Sequence, residues 1–149
     1  MKRDTRGSRE SIDPLVHIVN LERGSRLPCI DESGEVLAGI HGREGVSGML
    51  PDGTEVGIDS IEMEGGATFE PHVHDGAHIL VVTAGAGELV VGGQRHVLLP
   101  GDSVFVPANL PHAMGALAVE TVPLRFLAIG IPHKKVHAKD RMRRVGPSS

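Results

Sequence analysis

Three histidines, His72, His74 and His78, fall within seven residues, and a fourth, His112, follows a proline-rich turn. A neutral imidazole nitrogen is a good donor for mid-row divalent metals, and three or four of them at about 2.0–2.2 Å make a complete site. His72 and His74 are two apart, so on an extended strand they share one side. His78 is four residues beyond His74, a helical spacing, but Pro71 and Gly76 make a helix here improbable. The stretch Asp75-Gly76-Ala77 instead suits a turn, with His78 opening the next strand and His112 starting another. All four rings can then converge at one end of a sheet. Glu70 lies two before His72 and shares its side if the strand stays extended through Pro71. That makes Glu70 the first candidate for a general base or an extra ligand, and Asp75 the second. Phe105, Phe126 and Met114 are candidates to line a pocket. His17, His41, His96, His133 and His137 fit no ligand pattern.

The elements that must position these residues read as strands throughout. Short apolar runs cover Leu15–Val19, Val36–Gly42, His78–Thr83 and Leu124–Ile131, among others, separated by glycine and proline turns. Pro51-Asp52-Gly53 marks a hairpin turn. After it Val56 and Ile58 alternate, then Ile61 and Met63 resume out of phase, which predicts a β-bulge near Asp59–Ser60. Residues 20–30 and the termini read as non-β. The pattern predicts an all-β antiparallel sandwich or barrel over residues 14–133, flanked by basic tails at 1–13 and 134–149. Several strands are apolar on both faces, so something must cover the outer one; a homodimer is expected.

Composition sets the exclusions. The 149 residues suffice for one domain with a real core, built from aliphatic residues because Trp and Tyr are absent and Phe numbers three. The net charge of −4 hides basic ends and an acidic body: residues 11–133 hold five basic against sixteen acidic side chains. Such a body repels nucleic acid, and no helix-turn-helix segment is present. No apolar run is long enough to span a membrane, and no apolar segment follows the charged start, so a cytoplasmic protein is expected. The single Cys29 reads as an unreactive loop residue without a disulfide partner.

The spacing around the histidines resembles the two sequence motifs of the cupin superfamily. Gly66, five residues, His72-Val73-His74, three residues, His78, six residues and Gly85 follow the first. Gly101, five residues, Pro107-Ala108-Asn109, two residues and His112 follow the second, with Asn109 in place of a glycine and Ala116 in place of the closing asparagine. The resemblance implies a jelly-roll β-barrel with one divalent transition metal inside, Zn, Fe, Ni or Mn, held by His72, His74, His78 and His112. Most metal cupins carry a glutamate where this chain has His78. Four neutral imidazoles leave a metal its full charge, which favours Lewis-acid work over strong oxidation. The set is similar to that of single-domain polyketide cyclases of actinomycete pathways. A small enolisable, oxygen-rich substrate and redox-neutral cyclisation or isomerisation are therefore expected. An oxygen-using dioxygenase and a non-catalytic small-molecule-binding module are the alternatives.

Overall fold

The computed structural model describes residues 8–9, 16–118 and 122–146. Thirteen strands and no helix occur among them: β1 Ser8–Arg9, β2 Ile18–Val19, β3 Leu27–Ile30, β4 Val36–Met49, β5 Glu55–Met63, β6 Thr68–Val73, β7 Ala77–Ala84, β8 Gly87–Val91, β9 Gln94–Leu98, β10 Ser103–Val106, β11 His112–Ala116, β12 Leu124–Ile131 and β13 Arg143–Arg144. Every pairing is antiparallel. A six-stranded sheet runs β10-β7-β12-β5-β4-β3 and a five-stranded sheet runs β13-β6-β11-β8-β9, while β1 pairs only with β2. This is the jelly-roll barrel expected from the resemblance. No described helix is long and apolar enough to cross a membrane.

Short turns set the register. Gly92 and Gly93 both take positive φ, 56° and 78°, as the two-residue turn between β8 and β9 requires. The Pro51–Gly53 turn forms as expected, closed by Gly53 N–H donating to the Leu50 carbonyl at 2.9 Å. The aliphatic core lies between the sheets, with Ile40, Ile61, Met63, Val82, Leu124 and Phe126 among its buried members. Cys29 belongs to this core on β3, not to a loop, and burial pushes its thiol up to about 11. Pro28, a residue rare within strands, hides at the level of sequence a strand paired to β4.

The expected bulge in β5 is absent. Its residues alternate without a break, Asp59, Ile61 and Met63 inward, Val56 and Ile58 outward. The irregularity sits opposite, in β4, where Glu44 to Ser47 spans Asp59 to Gly57. Val56 and Ile58 therefore break the inward pattern because the outer face is itself apolar there. Phe105, Ile79, Ile129 and Ile58 stand side by side across β10, β7, β12 and β5. The other end of that face is polar, with Glu62 between Arg26 and Arg125.

The basic segment from Lys134, expected as a solvated tail, folds back over the barrel mouth in its described part, through Gly146. Val136 is fully buried and Met142 nearly so. Gly42 and Gly57 on the inner faces of β4 and β5 make room for it: a Cβ at Gly42 would come within 2.7 Å of Val136 Cγ1, and one at Gly57 within 2.5 Å of the His133 ring. The strap ends by pairing β13 with β6. Of the N-terminal tail, Ser8–Arg9 lies among the described residues; the remainder of 1–13 lies outside them.

Candidate metal centre

Both sheets contribute to the site. β6 carries His72 at its next-to-last position and delivers His74 one residue past its end; β11 starts at His112, which lies opposite His72 in register. The loop before β11 is tied back to this corner, because Asn109 N–H donates to the His74 carbonyl at 2.8 Å. Asn109 has φ 61°, so the asparagine occupies a left-handed position that usually falls to glycine. From the facing sheet, β7 presents His78 on its inner side, opposite Val106 and Gly130.

His72, His74 and His112 converge. Their ligating nitrogens lie within 4.8 Å of one another and all three residues are buried. Ring centroids are 4.3 Å apart for His72–His112, 4.7 Å for His74–His112 and 5.3 Å for His72–His74. Each Nδ1 faces a backbone carbonyl: Glu70 at 2.7 Å for His72, Gly76 at 3.2 Å for His74 and Leu110 at 2.8 Å for His112. A carbonyl can only accept, so each Nδ1 carries the proton and each Nε2 keeps its lone pair for a metal. His78 stands beside this trio, not within it. Its ring is 4.0 Å from that of His74, while its Nε2 lies over Gly130 on the neighbouring strand β12.

Burial dominates the electrostatics. Removal from water pushes His72 down to about 3, His74 to about 4 and His78 to about 2, and lowers His112 as well. The neighbouring imidazoles and the positive charge of Arg141 lower the first three further. The rings are thus held neutral, the form that binds metal. A buried trio of imidazoles with fixed tautomers fits a divalent transition metal, whereas packing alone would give no reason to turn three lone pairs toward one point.

The cavity beside the rings has a volume of about 40 Å³. Phe69, Leu80, Val106, Met114 and Phe126 form its apolar wall, and Arg141 and Met142 of the strap close it. Phe126 and Met114 therefore lie where expected, but Phe105 is exposed on the outer face. Asp75 is exposed as well. Glu70 is not in the site. Its side chain is 65% exposed and its nearest charged partner is Arg144, at 3.6 Å. The reason is a register shift: His112 to Met114 on β11 spans His72 to Phe69 on β6, so β6 holds one extra residue around Glu70–Pro71. The extra residue reverses the side count, and Phe69 takes the inward place that simple alternation assigns to Glu70. Arg141 was missed because the strap was read by its charge; buried Val136 and Met142, spaced among the cations, were the available signal.

Residues 60–130 match the family described as Cupin domain. A curated relative, quercetin 2,3-dioxygenase of Bacillus subtilis, is 31% identical over 93 residues, covering 59% of this chain and 27% of the relative. The chain thus spans about a quarter of that relative's length. Among solved structures, the polyketide cyclase RemF from Streptomyces resistomycificus superposes with a TM-score of 0.58 at 23% identity, covering 74% of each chain. A cupin-like protein from Thermotoga maritima gives 0.55 at 25% identity, covering 72% of this chain and 76% of the other. Residues 60–130, just under half of the chain, thus carry a cupin domain, set in a jelly-roll fold with a buried imidazole cluster suited to a transition metal.

Proposed function

We propose that the protein is a metal-dependent enzyme that cyclises or isomerises a small, enolisable, oxygen-rich substrate without net oxidation. His72, His74 and His112 would hold the metal, with His78 as a fourth ligand after a change of its side-chain rotamer. When bound there, a divalent metal supplies Lewis acidity, which weakens the C–H bond beside a chelated carbonyl. The observation that carries the reading is the make-up of the cavity. Its polar side chains are imidazoles and one guanidinium, and no carboxylate lines it among the described residues.

The chain's own residues contribute position and dryness. The three Nδ1–H bonds to carbonyls hold the rings in orientation before any metal arrives. Phe69, Phe126, Met114, Leu80 and Val106 exclude water, which strengthens every charge interaction inside. Arg141 adds a fixed positive charge for an anionic oxygen. With Glu70 outside and no carboxylate lining this cavity among the described residues, the substrate's proton would pass to solvent water at the cavity opening and be returned from it.

The dioxygenase reading keeps a specific support, the 31% identity to a quercetin dioxygenase over 93 residues. One experiment separates the readings. The protein is loaded in turn with Zn, Fe, Ni and Mn and given a 1,3-dicarbonyl in deuterated water under air. The expected result is deuterium at the central carbon with no oxygen uptake. Oxygen uptake would transfer the assignment to a dioxygenase, and neither signal would leave a binding module. We also infer a homodimer across the apolar row Phe105, Ile79, Ile129 and Ile58; a monomeric mass by light scattering at micromolar concentration would remove it.

A further inference from the structure

The metal cavity is closed by a residue that does not belong to the barrel sheets. Arg141 comes from the strap, its side chain is 11% exposed, and it lines the cavity together with the four histidines. Its Nη1 donates to Asp59 Oδ2 at 2.9 Å and to the Lys134 carbonyl at 2.8 Å. Asp59 is itself fully buried on β5, and its Oδ2 also meets His133 Nε2 at 2.9 Å. The guanidinium is thus fixed by one of its nitrogens. Its Nε and Nη2 have no hydrogen-bond partner among the described residues, although a guanidinium offers five N–H donors in a planar fork.

A buried cation beside a cluster built for another cation is unfavourable in itself. Asp59 offsets the guanidinium, but nothing in the cavity offsets a divalent metal held by neutral rings. A ligand that is anionic and carries a second oxygen for the metal would satisfy both. We infer that Arg141 is the specificity residue of this site, and that it recognises the carboxylate of a small keto or hydroxy acid whose other oxygens face the histidines. The inference rests on the metal-dependent reading above and narrows its substrate to acids. A cavity of about 40 Å³ takes only the polar end of such an acid, the rest lying at its opening to solvent.

Two chelating probes separate the roles: acetopyruvate (2,4-dioxopentanoate), a 1,3-dicarbonyl that also bears a carboxylate, and acetylacetone, one without. Each is titrated by calorimetry into the metal-loaded wild type and into Arg141→Lys, Arg141→Gln and the double variant Asp59→Asn/Arg141→Gln. The double variant leaves no unpaired buried charge and so guards against a simple folding failure. Metal content is read by elemental analysis. Loss of charge-assisted hydrogen bonds predicts that acetopyruvate binds about tenfold or more weakly in both Gln variants. Acetylacetone affinity should change by less than about threefold on the same reasoning, with metal content constant and Arg141→Lys intermediate. Equal weakening of both probes, no weakening, or loss of metal in the double variant would make Arg141 structural and overturn the inference while the metal reading stands. A metal-loaded wild type that binds neither probe would overturn the metal-dependent reading, and this inference with it.

Discussion

Two walls of one cavity are built in opposite ways. The wall from β6, β7 and β11 hangs on ladders along both edges of two of its strands: β11 pairs with both β6 and β8, and β7 with both β10 and β12. The strap wall from Pro132 to Gly146 has a ladder of only two residues, β13 against β6. Two further backbone bonds, His133 N–H to the Glu55 carbonyl at 2.9 Å and Val145 N–H to the Pro71 carbonyl at 3.0 Å, and a few side chains anchor the rest: Val136 in the space above Gly42, Arg141 on Asp59, and Arg144 on Asp31 at 2.8 Å. A ladder strand cannot shift without losing a row of backbone hydrogen bonds, whereas a strap can release one anchor at a time. Metal ligands need the first kind of support, because the donors must be in place beforehand. A cavity of water size that admits a substrate needs the second kind. The difference assigns rigidity to the donors and mobility to the cover.

The largest effects should fall on the rigid wall. His72→Ala and His112→Ala each remove a donor from the trio. Metal affinity should fall by more than the roughly 10–100-fold that loss of a ligand's outer hydrogen-bond partner costs. His78→Ala should cost less, about tenfold on the same scale, because its ring stands outside the trio. Unchanged metal content and activity in His78→Ala would remove it as a fourth ligand. Acid acts on the same wall. The folded protein holds His72 down to about 3 and His74 to about 4, below the ordinary imidazole value of 6.5. As pH falls below that value the unfolded chain takes up these protons and the folded chain does not. The metal-free protein therefore keeps this contribution above about pH 6.5 and loses it progressively on the way to pH 4. Thermal melts without metal across that range check the sign.

The strap should respond less, and in stability more than in metal binding. Val136→Ala deletes two methyl groups from a fully buried position and should cost about 2 kcal/mol if the surroundings relax little. Chemical denaturation reads that cost, and metal content should be unaffected. Metal loss equal to that of His112→Ala would mean the strap is part of the donor support, and the contrast between the walls would fail.

How far the sequence announced these two walls follows from the same contrast. A histidine pair two apart on a strand carries its geometry in its spacing, because side chains alternate at fixed period, and the motif glycines at Gly66, Gly85 and Gly101 all take the positive φ of turns. The strap carries no period. Its cations outnumber its apolar residues, and what seats it is a pair of glycines far upstream, Gly42 and Gly57, whose empty Cβ positions are readable only in three dimensions. The alternation argument also has a definite point of failure, an inserted residue, which nothing in a local stretch of sequence reveals. It misled twice: β5 was given a bulge that lies in β4, and β6 was denied one that it has.

The smallest expected effect tests that second bulge. Glu70→Gln removes the carboxylate that strict alternation would place beside His72. The carboxylate is mostly exposed and its contact with Arg144 is long, at 3.6 Å. An exposed pair of this kind contributes about 0–1 kcal/mol. The backbone carbonyl that orients His72 remains in the variant, because it is main chain. Metal content and turnover should therefore stay within about twofold of wild type, and stability within about 1 kcal/mol. If turnover instead falls by the 100-fold or more that removal of a general base entails, Glu70 reaches the substrate in the working enzyme. The bulge would then have to straighten during the reaction, and the ladder-built wall would be the mobile one.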